Sequence, residues 1–179
     1  MGRIRMPKRL KALAEAVRDF SETLPEDTER TLADIGCDHA LLPIRLLRDG
    51  VITYAVASDA NEGPLSRARE NAETAGLSGR MRFVCADGLS GLRPGEVRMA
   101  VIAGMGGETI RDILNPEETR RTGITDYFLS PHTKAEVLRE YLFAQGFEMR
   151  SERMTEDRGK RYLLWHVHRE GISDRSGET

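Results

Sequence analysis

Apolar residues recur along the chain in two alternating patterns, one with a helical period of about 3.6 and one of short continuous runs, and this alternation predicts the fold class. Leu10, Leu13, Ala14, Val17 and Phe20 keep the helical spacing, which predicts an amphipathic helix over residues 7–20 with Pro7 in its first turn. A polar linker containing Pro25 follows over residues 21–30. Thr31-Leu32-Ala33-Asp34-Ile35-Gly36 then reads as a short buried strand ending in a glycine turn, and Ala40-Leu41-Leu42 resumes as the start of a helix. Residues 52–58, 81–85, 97–103 and 125–129 are apolar runs with little alternation, as expected of strands covered on both faces in a parallel sheet. Helices are predicted from Asn61 through Ala68 and Ala72 to a stop at Gly76, over residues 108–114, and over residues 133–145 before Gly146. Residues 147–155 and 161–168 flank the polar turn Glu156-Asp157-Arg158-Gly159-Lys160 at the spacing of an antiparallel hairpin. The expectation is an α/β fold with a mostly parallel seven-stranded sheet, a C-terminal antiparallel hairpin and helices on both faces. Residues 31–168 form this domain, residues 1–30 a basic N-terminal helix and linker, and residues 169–179 a tail expected to be disordered.

Composition adds limits rather than features. With 179 residues, 39% hydrophobic and 31% charged, the chain has the size of one domain with its own core. No apolar run approaches the roughly 20 residues of a membrane span, and none near Met1 resembles a signal peptide, so a cytoplasmic protein without a membrane partner is expected. Cys37 and Cys85 each close an apolar run and are expected to be buried, reduced thiols. His166 and His168 share a strand face without a carboxylate or cysteine at ligand spacing, so a solvated strand end and no metal site are expected. A net charge of −2 gives no global sign of a nucleic-acid binder, and any such surface must be local. The densest positive run is Arg3, Arg5, Lys8, Arg9 and Lys11, at the start of the first helix.

Charge also narrows the ligand at the glycine turn. A turn joining strand to helix is where doubly wound folds hold nucleotides, because backbone groups at strand ends and helix starts are free to bind. A dinucleotide needs G-x-G-x-x-G there, so that a pyrophosphate can approach the backbone. Asp38 fills the second glycine position, and its carboxylate would repel a phosphate. A nucleoside without phosphates and with a positive charge fits better, and S-adenosylmethionine is one; the alternative is that Asp38 only caps a helix. Asp59 closes the second strand about twenty residues past Gly36, where such folds place the acid that bonds a ribose. Asp87-Gly88 ends the third strand, where the carboxylate can accept from an adenine amine or simply form a turn. Gly104-Met105-Gly106-Gly107 ends the fourth, and three glycines in four residues allow close backbone approach to a ligand or substrate.

Asp34-Ile35-Gly36, Asp59, the helix Ala68-Arg69-Glu70-Asn71-Ala72-Glu73-Thr74-Ala75-Gly76-Leu77, Asp87-Gly88 and the terminal hairpin together resemble the class I, Rossmann-like methyltransferases dependent on S-adenosylmethionine. More narrowly, Lys8-Arg9-Leu10, Ala33-Asp34-Ile35-Gly36-Cys37-Asp38-His39-Ala40, Ile102-Ala103-Gly104-Met105-Gly106-Gly107 and Gly159-Lys160-Arg161-Tyr162 resemble the TrmK family. That bacterial family methylates N1 of the adenine at nucleotide 22 of tRNA. The resemblance implies an S-adenosylmethionine site built from Asp34, Gly36, Asp59, Ala60, Asp87, Gly88, Ala103, Gly104, Met105 and Gly106, with Asp38 as the catalytic group. It also implies a tRNA partner held by Arg5, Lys8, Arg9, His132 and Lys160. Two departures stand out. The family usually carries a C-terminal coiled-coil extension, for which this chain ends too soon, and it tends to place Asn where this chain has His132.

Methylases of exocyclic amines usually place an Asn/Asp-Pro-Pro-aromatic run after the fourth strand, and Gly104-Met105-Gly106-Gly107 offers neither side chain. A ring nitrogen such as adenine N1 already presents an in-plane lone pair and needs mainly placement. The methylated base is cationic, and a carboxylate such as Asp38 could stabilise that charge or take the amine proton. The adenine edge is hidden in paired or stacked RNA, so the base is expected to be extruded. Two other readings remain open: a methyltransferase of another nucleobase or a small molecule, and a non-catalytic module that binds RNA or cofactor.

Overall fold

The continuous apolar runs pair side by side. β1 (Thr31–Ile35), β2 (Tyr54–Asp59), β3 (Met81–Cys85), β4 (Met99–Met105) and β5 (Asp126–Pro131) are parallel, and β6 (Glu148–Asp157) and β7 (Lys160–His168) form an antiparallel hairpin. In the computed structural model, which describes residues 5–171, the seven strands make one sheet in the order β3-β2-β1-β4-β5-β7-β6. β1 and β5 are buried at every position, since helices cover both faces, whereas β6 at the edge alternates exposed and half-buried residues.

α1 (Lys8–Thr23), α2 (Leu41–Arg48) and α3 (Glu62–Thr74) cover one face; α4 (Gly107–Ile113) and α6 (Ala135–Ala144) pack on the other. The first core joins Leu13 and Val17 of α1 to Leu46 of α2, Leu65 of α3 and Phe128 of β5. The second joins Ile110 and Leu138 to Ile102, Leu129 and Trp165. α1 is therefore part of the sheet's packing, and it runs past Phe20 to Thr23, three residues into the stretch expected to be linker.

One helix has no counterpart in the sequence reading. α5 (Pro116–Thr122) lacks an apolar period, and its signal lies in capping: the Asn115 side chain accepts from the Glu118 amide at 3.0 Å, and Pro116 opens the first turn. Arg121 then anchors it by donating to the carbonyls of Leu92 and Leu89 at 2.6 and 2.9 Å. The hairpin turn is also tighter than the five polar residues suggest. Arg158 and Gly159, with φ of 51° and 76°, make the connection alone, and pairing of two right-handed strands favours such a two-residue turn.

Three other expectations are corrected. Cys85 is exposed, not buried, and its thiol faces the Ala60 carbonyl at 3.5 Å, because β3 is the outermost parallel strand. The histidines do not form a solvated strand end: His166 is buried, and the ring nitrogens of His166 and His168 stand 2.8 and 3.1 Å from one oxygen of the buried Asp126. Strand pairing brings this carboxylate to them across forty residues of sequence, which spacing within the chain could not reveal. Arg169, placed in the expected tail, is packed on the domain: its amide donates to the Thr125 carbonyl at 2.8 Å and its guanidinium covers Phe147. Arg3 of the basic run and residues 172–179 of the expected tail lie outside the described residues.

The end of β4 is locked to the loop after β5. The amide of Gly107 donates to the Thr133 carbonyl at 2.7 Å, that of His132 to the Met105 carbonyl at 2.8 Å, and a Cβ on Gly107 would collide with the Lys134 carbonyl. Backbone cannot yield as a side chain can. Gly107→Ala is expected to lower the unfolding free energy by about 1–3 kcal/mol, the range for forced overpacking, as read from urea denaturation of the full chain.

Candidate functional site

The chain leaves β1 through a turn in which two consecutive amides, those of Gly36 and Cys37, donate to the Ser58 carbonyl of β2 at 2.8 and 3.0 Å. This double bond to one acceptor requires a sharp reversal, and Gly36 takes it at φ 72°. Asp38 and Ala40 also sit at positive φ, 51° and 57°, an uncommon conformation that an aspartate tolerates better than most residues and an alanine does not. The amide of Asp38 faces Asp59 Oδ2 at 3.4 Å, the amide of Asn61 donates to Asp59 Oδ1 at 3.0 Å, and Asn71 of α3 donates to the His39 carbonyl at 2.9 Å. The turn is thereby fixed to β2 and α3 at several points.

Three carboxylates converge as a result. Asp34 is buried at the end of β1, and burial, followed by the charges of Asp38 and Asp59, pushes its pKa up to about 7. Burial and the same three acids also push the Cys37 thiol up, which keeps it protonated and inert. Asp38 is largely exposed, with its carboxylate 3.4 Å from the His39 ring. It does not cap α2: the N-cap residue of that helix is Ala40, and no side chain caps it.

Asp34, Gly36 and Asp38 line a cleft of about 260 Å³ together with Ala103, Gly104 and Met105 at the end of β4, and with Arg9 from α1. Gly104 is a bulge: Ala103 pairs with Ser130 and Met105 with Pro131, leaving Gly104 unpaired at φ 80° with open space beside it. Gly106 and Gly107 serve another purpose, since their Cα atoms lie against Thr133 and Lys134 of the closing loop. The expectation that all three glycines permit ligand approach is thus corrected: Gly104 faces the cleft, and the other two allow the chain to approach itself. Met105 lies over Gly36, joining the two glycine segments.

Arg9 marks the opposite wall. Its guanidinium donates to His132 Nε2 at 2.9 Å and lies 5.6 Å from the centre of the Tyr162 ring, which is in turn 5.5 Å from the His132 ring. Burial, then the nearby charges of Arg9 and Lys160, lower the His132 pKa, so the ring is neutral and accepts. Arg5 and Lys8 are exposed at the same end of α1 and line no part of the cleft. Ala60, Asp87 and Gly88 stand at the ends of β2 and β3, outside the lining; Asp59 is also outside it, and reaches it through the Asp38 amide and through its charge on Asp34. Tyr162 and His39 belong to this arrangement although composition did not single them out. For Tyr162 the available signal was an aromatic next to a basic hairpin turn.

Among the described residues no group of three or more His, Cys, Asp or Glu is placed to hold a metal, and no helix is long and apolar enough to cross a membrane. A family model described as a methyltransferase domain matches residues 6–165. The tRNA (adenine(22)-N(1))-methyltransferase of Bacillus subtilis is 31% identical over 162 residues, which are 90% of this chain and 64% of that protein. The crystal structure of the B. subtilis tRNA methyltransferase TrmK superposes with a TM-score of 0.82 at 29% identity, covering 94% of this chain and 68% of the other. A Streptococcus pneumoniae protein solved in complex with S-adenosyl-L-methionine gives 0.82 at 30%, covering 96% and 77%. The chain spans a little under two thirds of the length of the curated relatives it matches.

Chemically, the cleft is an acidic pocket with a backbone floor, suited to a cationic ligand. Asp34 makes it pH-dependent. Its pKa is raised in the folded protein, so between about pH 4 and 7 the folded protein keeps a proton that the unfolded chain has lost, and stability falls as pH rises through that window. Unfolding free energies at pH 5 and 8 are expected to differ by about 2 kcal/mol more in the parent than in Asp34→Asn, measured by urea denaturation.

Proposed function

Since the chain belongs to the TrmK family of class I methyltransferase domains, we propose that it methylates N1 of an adenine in tRNA, at nucleotide 22, using S-adenosylmethionine. The observation that carries this reading is the convergence of Asp34, Asp38 and Asp59 on a glycine turn at the ends of β1 and β2. Such a donor set repels phosphates and favours a ligand with ammonium and sulfonium charges. The fit extends to shape, because the Gly104 bulge leaves the cleft floor open. When bound, S-adenosylmethionine supplies an electrophilic methyl group. Asp59 would accept from its ribose hydroxyls, the Gly36 turn would hold the methionine part, and Ala60, Asp87 and Gly88 would hold the adenine. Ala103, Gly104 and Met105 would form the floor beneath it.

The remaining work falls to residues that hold the base. Adenine N1 presents its own lone pair, so the chain has to place it and exclude water rather than remove a proton first. The base becomes cationic on methylation, and Asp38, exposed at the cleft mouth, faces that charge and can accept the amine proton. Lys8 at the start of α1, Arg5 just before it and Lys160 on the hairpin, whose charge reaches His132, hold phosphates.

Mass spectrometry of nucleosides from unmodified tRNA incubated with protein and S-adenosylmethionine tests the function; 1-methyladenosine at nucleotide 22 is expected, and its absence refutes the reading. Asp38→Asn preserves size and tolerates the same positive φ, so a loss of turnover of about 100-fold with cofactor affinity preserved is expected if the charge acts. Activity equal to the parent would remove Asp38 from the chemistry.

Phosphate contacts release counterions, so tRNA affinity should fall steeply with salt. Replacing Arg5, Lys8 and Lys160 by alanine together is expected to weaken tRNA binding and to flatten the slope of log affinity against log salt by about 2 to 3, with S-adenosylmethionine affinity unchanged in calorimetry. An unaltered slope would place the RNA surface elsewhere.

A further inference from the structure

Building on the reading of the site as an adenine methyltransferase, we propose that the target nucleobase takes the place now filled by the Arg9 guanidinium, stacked on Tyr162 and read by His132. The guanidinium is a planar cation that lies over the Tyr162 ring and donates to His132 Nε2 at 2.9 Å. An adenine methylated at N1 is also a planar cation, and the amine beside N1 is the donor on that edge. Both make the same demands, a π face and a hydrogen-bond acceptor. The Tyr162 ring is half-buried and inclined 58° to His132, so the ring face and the acceptor nitrogen bound one corner. Arg9 also lines the acidic cleft with Asp34 and Asp38, so this corner opens onto the cleft itself.

The corner accounts for three properties. Extruded bases are held by stacking and by hydrogen bonds to their pairing edge, and Tyr162 with His132 offers both. A neutral His132 Nε2 accepts from the adenine amine, whereas guanine would set its carbonyl oxygen against it, two acceptors facing one another. In the free protein Arg9 keeps the ring covered and the nitrogen partnered. An entering base displaces the guanidinium, which is then free to pair with a phosphate.

The test is calorimetric titration of the full chain with 1-methyladenosine, adenosine and inosine, alongside tRNA binding. Tyr162→Ala is expected to bind 1-methyladenosine about ten-fold or more weakly than the parent, with Tyr162→Phe recovering most of the loss because it keeps the ring. His132→Ala is expected to lose the preference for adenosine over inosine. Arg9→Ala should bind the nucleoside more tightly yet tRNA more weakly, a pair of opposite signs that a simple contact residue would not give. Equal 1-methyladenosine affinity in the parent and Tyr162→Ala, binding by neither the parent nor Arg9→Ala, or an Arg9→Ala loss for nucleoside and tRNA alike overturns the inference. The function fails by a different observable, absence of methyl transfer by the parent, and the nucleoside affinities are read independently of it.

Discussion

Two amides sharing the Ser58 carbonyl fix the geometry on which the cleft depends. That arrangement turns the chain back immediately after β1, so three acidic side chains from two strands and one loop have nowhere to separate. The repulsion is met partly by a proton held on Asp34 and partly by the Asp38 and Asn61 amides directed at Asp59. Positive φ at Asp38 and Ala40 is the backbone strain that goes with it. A turn of this kind persists because β2 and α3 hold it from outside, and its acidity is then a built-in preference for cations.

The far wall is made by the two ends of the fold. α1 packs through Leu13 and Val17, and its last turn places Phe20 4.6 Å from the His166 ring, itself stacked on Phe128. Burial works against the charge on Asp126, yet hydrogen bonds from His166, Thr125 and His168 hold its carboxyl below the usual range. Arg153 adds an exposed ion pair to Asp19, a contact of small energetic weight. These contacts at one end of α1 set the direction of the helix, and the direction decides where Arg9 lies at the other end.

Closure between the walls rests on glycines used in two ways. Gly104 supplies a backbone conformation that leaves the floor open, while Gly107 removes a side chain so that the loop after β5 can reach the β4 end. His132 is carried by that loop, so its position beside Arg9 and Tyr162 depends on a backbone contact made by a residue that touches neither.

Much of this was determined by the sequence alone. Unbroken apolar runs alternating with helical periods specify a parallel sheet covered on both faces, and the acid in place of a second glycine specifies the charge of the ligand, because both are local properties of a few residues. The capping signal of α5 and the two-residue hairpin turn were also local, but lay in residues without apolar periodicity. Only the tertiary structure decided which side chains meet. Asp126 reaches His166 and His168 through strand pairing, Cys85 is exposed because β3 ends the parallel array, and Arg9, His132 and Tyr162 come together from three distant segments. The physical reason is that periodicity records which face of an element is buried, whereas the neighbour across that face is set by strand order and helix direction, which no stretch of chain contains by itself.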